Sequence, residues 1–378
     1  MLTFLLAACT ATPIVTEEPA DTDTDTDSDT DADSDTDTDT DTDTDTDTDT
    51  TDFTDPTPVS VDYNDPALTY VGRIARNNSG AWLYWPGSTV VFDVDAPTVE
   101  ILLDDHGGND TLAVVIDGGE PTVFPAGQGA YTITAASGLS GGKHRLEIVK
   151  RTEGWEGAVL FLGVDLPEGG RITAVEDRPL KLEFYGDSIT SGYSVDCDCD
   201  SGDWIYKNHY DAYPSVLTRE LGAWHHAISL SGMGLTRSYW EDTVFDHWDG
   251  QGYDDHSWDF TTWPADIVVI NLGQNDYSLG AGPEMEAAYV DFVGLVRGVH
   301  PDAAIFVALG SMSAVSAGSP FPGYVEDAVA TLNDAGDDRV FSYIFDYDTS
   351  GGHPHAETHA AMAQDLAAYM REVLPELE

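Results

Sequence analysis

Positive charge is scarce in this sequence. Lys and Arg number 15 against 69 Asp and Glu, for a formal charge of −54. Affinity for a phosphate backbone comes from Lys and Arg neutralising phosphates, so no nucleic-acid partner is expected. Cysteine is scarcer still, at three in 378 residues. That excludes a disulfide framework, and it leaves too few thiolates for a closed cysteine zinc site with its four ligands. Past the first residues, no stretch stays apolar for the ~18 positions that a membrane span requires.

The acid that is present is unevenly spread. Residues 17–55 hold 19 acidic and no basic residues, and the remainder still carries 50 acidic against 15 basic. Asp-Thr repeats fill Asp21 to Thr51 with Ala32 as their one apolar side chain. Such a segment has nothing to bury against the entropy of ordering, so residues 10–57 are expected to be a disordered tether. Self-repulsion extends it, and about 40 residues at ~3.3 Å each reach at most on the order of 130 Å. Ahead of it, Leu6-Ala7-Ala8-Cys9 follows the apolar stretch Leu2 to Leu6. This resembles a bacterial lipoprotein signal, although no Lys or Arg precedes it. Residues 1–9 are therefore expected to direct export and lipidation at Cys9, with secretion by another route as the alternative. That lipid would be the sole membrane contact.

Residues 58–170 read as all-β. Short apolar or alternating runs recur at Thr89–Val94, Val99–Leu103, Leu112–Ile116, Tyr131–Thr134, His144–Val149 and Val159–Val164. Turn residues separate them at Asp117-Gly118-Gly119 and Ser140-Gly141-Gly142-Lys143. This spacing predicts a jelly-roll-like β-sandwich. Residues 180–378 change period. Strand candidates at 181–187, 225–231, 266–273, 303–310 and 341–347 alternate with helical stretches at 211–221, 283–299, 324–334 and 356–373. Alternation of that kind predicts an α/β domain, a parallel sheet with helices on both faces.

In such sheets, sites gather beyond the carboxyl ends of the strands. Three polar motifs fall there: Gly186-Asp187-Ser188, Ser231-Gly232-Met233-Gly234 and Gly273-Gln274-Asn275-Asp276. A fourth, His353-Pro354, follows a Gly-rich loop just before the last helix. Serine is a weak nucleophile until a base takes its proton, and His353 is the candidate base. An acyl-transfer transition state puts negative charge on a carbonyl oxygen. The Ser188 and Gly232 backbone amides and the Asn275 side-chain amide are candidate donors to that oxyanion.

In this order, Ser188, Gly232, Asn275 and His353 resemble the four blocks of the SGNH (GDSL-like) hydrolases. The similarity is closer to family 2 carbohydrate esterases, which pair an N-terminal β-sandwich with an SGNH domain of flavodoxin-like form. It spans roughly residues 69–375 and includes Val71-Gly72-Arg73, Trp85-Pro86-Gly87-Ser88, Phe184 to Tyr193, Ala212-Tyr213-Pro214 and Asn271 to Asp276. The resemblance implies serine-dependent removal of O-acetyl groups from an acetylated glycan, with no metal and no cofactor. One departure stands out. Many members carry an aspartate two or three residues before the catalytic histidine, where this chain has Gly351 and Ser350. Asp346, Asp348 or Ser350 could orient the imidazole, and the favoured reading is a Ser188–His353 dyad with a non-carboxylate orienter.

Asp187, Trp204, Tyr239 and Trp240 are candidate substrate contacts. Cys197 and Cys199 could close a small bridge in an oxidising compartment, though a solvated loop is the ordinary expectation there. The same four blocks would serve a lipase, thioesterase or acyltransferase. A non-catalytic surface glycan-binding protein is the rival from a different class. Composition and motifs leave the oligomeric state open.

Overall fold

In the strand Thr98–Asp105, Val99, Ile101 and Leu103 are buried while Glu100 faces out. A period of two allows only one face to meet a core, and this pattern builds the N-terminal part of the chain. The computed structural model describes residues 58–348 and 352–377. The signal-like run ending at Cys9, the Asp-Thr tether and Ser350 lie outside the described residues, as does the side chain of Asp348.

All six strand segments expected in the first half are strands, joined by shorter ones at Val59–Asp62, Thr69–Val71, Ala75–Asn77, Gly80–Leu83, Thr122–Pro125 and Arg171–Thr173. They form two six-stranded antiparallel sheets. One runs Ala75–Asn77, Gly80–Leu83, Val159–Leu166, Thr98–Asp105, Gly129–Ser137, with Val59–Asp62 also on Val159–Leu166. The other runs Arg171–Thr173, Thr89–Asp95, His144–Lys150, Thr111–Ile116, Thr122–Pro125, with Thr69–Val71 also on Thr89–Asp95. Phe92, Ile101, Ile148 and Phe161 interdigitate between them as a sandwich core.

The second half is a five-stranded parallel sheet. Its order is Trp224–Ser229, Lys181–Gly186, Ile267–Asn271, Ala304–Ser311, Val340–Asp348. With the strand first in sequence lying second in space, this is the flavodoxin-like winding that opens a crevice at the carboxyl ends of the first and third strands. The strand Ile267–Asn271 is buried throughout because helices cover both faces. Glu284–Val299 and Phe321–Asp334 pack on one side, and Tyr213–Leu221 and Ala356–Val373 on the other.

Arg73 ties the sandwich to this sheet. Its guanidinium donates to the Trp248 carbonyl at 2.6 Å and to the Tyr185 hydroxyl at 2.8 Å, and pairs with Glu183 at 3.1 Å; both charged side chains are fully buried. Burial alone would raise the Glu183 carboxyl, but Arg73, with His226 and His300 around it, holds it well below the usual carboxylate range. Removing one partner of a buried pair leaves an uncompensated charge, a larger loss than the pair's net worth. Arg73→Met is therefore expected to destabilise the fold by about 3 kcal/mol, read as a lowered urea midpoint. Adding Glu183→Gln should restore part of the loss, and a strictly additive double variant would contradict this account.

Candidate active site

The sheet delivers its polar residues to one edge. The strand Lys181–Gly186, second in the sheet, ends at Asp187, whose carboxylate caps the turn Ser188–Ser191 by accepting from the Ile189 amide at 3.0 Å. Ser188 begins that turn. The neighbouring strand Trp224–Ser229 runs out to Ser231-Gly232, and Ile267–Asn271 runs out to Asn275. His353 comes from the loop ahead of Ala356–Val373.

Ser188 and His353 meet. The Ser188 hydroxyl lies 2.8 Å from His353 Nε2. On the other side of the ring, His353 Nδ1 lies 2.6 Å from Asp200 Oδ1, and the His353 backbone amide donates to the same oxygen at 3.1 Å. With Nδ1–H donating to a carboxylate, Nε2 is left as the acceptor for the serine proton. Tyr193 packs across the imidazole with ring centroids 4.2 Å apart.

This corrects the expectation of a non-carboxylate orienter. Asp346 is exposed on the last strand and Asp200 occupies the position beside Nδ1. The carboxylate comes from the acidic loop after the first strand, not from the segment preceding the histidine. The same loop holds a second correction, because Cys197 and Cys199 are joined by a disulfide immediately ahead of Asp200. The signal was present in Asp196-Cys197-Asp198-Cys199-Asp200, but composition could not tell which of its carboxylates turns inward.

Gly232 and Asn275 come together beside Ser188. Gly232 has φ +86°, in the left-handed region, and a Cβ there would fall 2.4 Å from the Trp240 ring, so only glycine fits. Asn275 Nδ2 donates to the Met233 carbonyl at 2.8 Å and approaches Asp187 Oδ2 at 3.4 Å. The amide thus bridges the residue after Gly232 and the residue before Ser188.

The expected substrate contacts divide. Asp187 is 1% exposed and is engaged with Ile189 and Asn275, so it shapes the site from beneath instead of touching a substrate. Burial, with Asp276 nearby, pushes its carboxyl up to about 7. Trp204 lies half-buried on the short turn Trp204–Tyr206, and no ring contact among the described residues brings it to Ser188 or His353. Tyr239 is exposed, and Trp240 packs edge-on to Trp155 at 4.8 Å. Trp155, which the sequence reading passed over, reaches across from the sandwich with 44% of its surface exposed. With Trp240 and Tyr253 it makes an aromatic wall next to Gly232.

Burial lowers the His353 pKa below the ordinary histidine value, while Asp200 pulls the other way. Among the described residues, no group of three or more His, Cys, Asp or Glu side chains is arranged to hold a metal ion, and no helix is long and apolar enough to cross a membrane.

Comparison with known proteins bears on both halves of this site. Residues 70–175 match the model of the carbohydrate esterase 2 N-terminal family, and residues 184–361 match that of the GDSL-like lipase/acylhydrolase family. The chain is 31% identical over 328 residues to cellulase/esterase CelE of Acetivibrio thermocellus; the match takes in 83% of this chain and 40% of that protein. It is 25% identical over 334 residues to an acetylxylan esterase/glucomannan deacetylase of Cellvibrio japonicus, covering 82% of this chain and 90% of that one. Among solved structures, one of a family two carbohydrate esterase from Clostridium thermocellum in complex with cellohexaose superposes with a TM-score of 0.77 at 31% identity, covering 82% and 99% of the two chains.

Proposed function

The chain belongs to the family two carbohydrate esterases, and from that premise we propose that it removes O-acetyl groups from polysaccharides or oligosaccharides of the acetylxylan or acetylglucomannan type. The observation that carries the reading is the alignment Ser188 Oγ to His353 Nε2 to Asp200, at 2.8 and 2.6 Å. Ser188 Oγ attacks the acetyl carbonyl carbon as its proton passes to His353 Nε2. The negative oxygen is met by the Ser188 and Gly232 amides and Asn275. Collapse expels the sugar oxygen, which takes the proton back from His353. Water then repeats the sequence on the acetyl-serine and releases acetate. The aromatic wall of Trp155, Trp240 and Tyr253 suits the apolar faces of sugar rings.

Export is part of the same proposal. The Leu6-Ala7-Ala8-Cys9 run supports lipidation at Cys9, and the Asp-Thr repeats support a spacer between anchor and enzyme. The Cys197–Cys199 bridge fits an oxidising compartment.

The test is acetate release from acetylated xylan, acetylated glucomannan and 4-nitrophenyl acetate. Release from the glycans supports the proposal and ranks them. Hydrolysis of the small ester alone would move the natural substrate elsewhere, and folded protein inert toward all three would overturn the reading. The pH profile gives an independent check. His353 must be neutral to act as base, so kcat/KM is full above its pKa and is lost as pH falls through it. Because that pKa is lowered, half-loss is expected below the ordinary ~6.5 of histidine. A midpoint above 7 would contradict the assignment.

A further inference from the structure

The segment following the sandwich strand His144–Lys150 is built into the catalytic edge of the other half. It is anchored from below. The fully buried Lys150 ammonium pairs with the equally buried Asp110 at 2.7 Å and donates to the Thr152 and Glu153 carbonyls at 2.9 and 3.0 Å. Gly154 lies so close beneath Tyr84 that a Cβ would fall 2.3 Å from its ring. From this fixed base, two side chains reach the loop that presents Gly232. The Glu153 carboxylate, 1% exposed, accepts from both the backbone amide and the hydroxyl of Ser231. Lys207 balances its charge at 2.7 Å. The Trp155 indole Nε1–H donates to the Ser231 carbonyl at 3.1 Å.

That carbonyl belongs to the same peptide unit as the Gly232 N–H. In a planar trans peptide the two point in opposite directions, so a donor fixed on the Ser231 oxygen fixes the direction of the Gly232 N–H. It also polarises the unit and strengthens the N–H as a donor. Glu153 holds the peptide before it. Within 232–234 the Met233 amide donates to the Leu230 carbonyl and the Gly232 carbonyl accepts from the Tyr239 amide, both at 3.1 Å, but neither bond engages the Ser231–Gly232 peptide itself.

We infer that Glu153 and Trp155 are positioning residues, through which the β-sandwich aims the Gly232 amide at the developing oxyanion. The sandwich is then a working part of the catalytic apparatus as well as a wall of the cleft. The inference rests on the esterase reading, which makes Gly232 an oxyanion donor. A direct donor of this kind is worth ~10²–10³ in rate, so its aiming should account for about one factor of ten.

Trp155→Phe removes the N–H and keeps an aromatic face. It is expected to lower kcat about tenfold on 4-nitrophenyl acetate and acetylated xylan with KM within twofold. Calorimetric affinity for the glycan, measured in a Ser188→Ala background, should fall by less than kcat does, because an aromatic face is retained in the wall. Trp155→Ala should lose glycan affinity as well. Glu153→Gln keeps one acceptor for Ser231 and should fall between wild type and Trp155→Phe. If it melts at a lower temperature, Trp155→Phe decides alone, since that side chain lies at the surface. A kcat within twofold of wild type for Trp155→Phe, or a rise in KM with kcat unchanged, overturns the inference while leaving the esterase intact. A wild type that hydrolyses no ester overturns the esterase reading and this inference with it.

Discussion

Ser188→Ala and His353→Ala are each expected to lower kcat by ~10⁵ or more, and the double variant no further than the worse single. The reason is the contact between Ser188 Oγ and His353 Nε2 at 2.8 Å, which makes the two side chains one functional unit. Without the hydroxyl there is no acyl-enzyme, and without the imidazole the hydroxyl keeps its proton. What remains is the help of the oxyanion donors to direct attack by water. Initial rates of acetate release at saturating substrate check this. Losses that multiply in the double variant would mean that the two residues act separately. Activity surviving Ser188→Ala would place the nucleophile elsewhere.

The second large effect is expected at Asp200. In the serine-protease template, amidating the acid leaves geometry intact but reverses the favoured tautomer and lowers kcat ~10⁴-fold. Asp200 keeps 45% of its side chain exposed, so solvent shares its work and a smaller loss follows. Asp200→Asn is therefore expected to lower kcat by about 10³, near 4 kcal/mol. It also removes a partner that raises the His353 pKa, so the acid limb of the profile should move to lower pH. Asp348→Asn is expected to leave kcat within twofold, since Asp200 already occupies the Nδ1 side. Steady-state rates across pH 4–9 for both variants decide between the two carboxylates. Loss at Asp348 with Asp200 indifferent would reverse the assignment.

The strands and helices were legible because their signals are local. The apolar face of Glu284–Val299 and the alternation of Thr98–Asp105 are written into consecutive residues. Ser188, Gly232 and Asn275 could be placed together for the same reason: each follows a readable strand of a sheet whose winding brings those ends to one crevice. Asp187 misled, because an acid beside a serine looks like a substrate contact, whereas here it caps the turn beneath the site.

What the sequence alone determined is thus the architecture and the serine–histidine pair, since periodicity and strand-end position need no knowledge of distant residues. Tertiary structure decided which carboxylate completes the pair and what holds the oxyanion loop. Asp200 lies 153 residues from His353 in the chain, among acidic neighbours of the same chemistry. Glu153 and Trp155 reach Ser231 from the other half of the chain. A carboxylate or an indole becomes an orienter only through the direction in which its backbone presents it, and no local pattern encodes that direction.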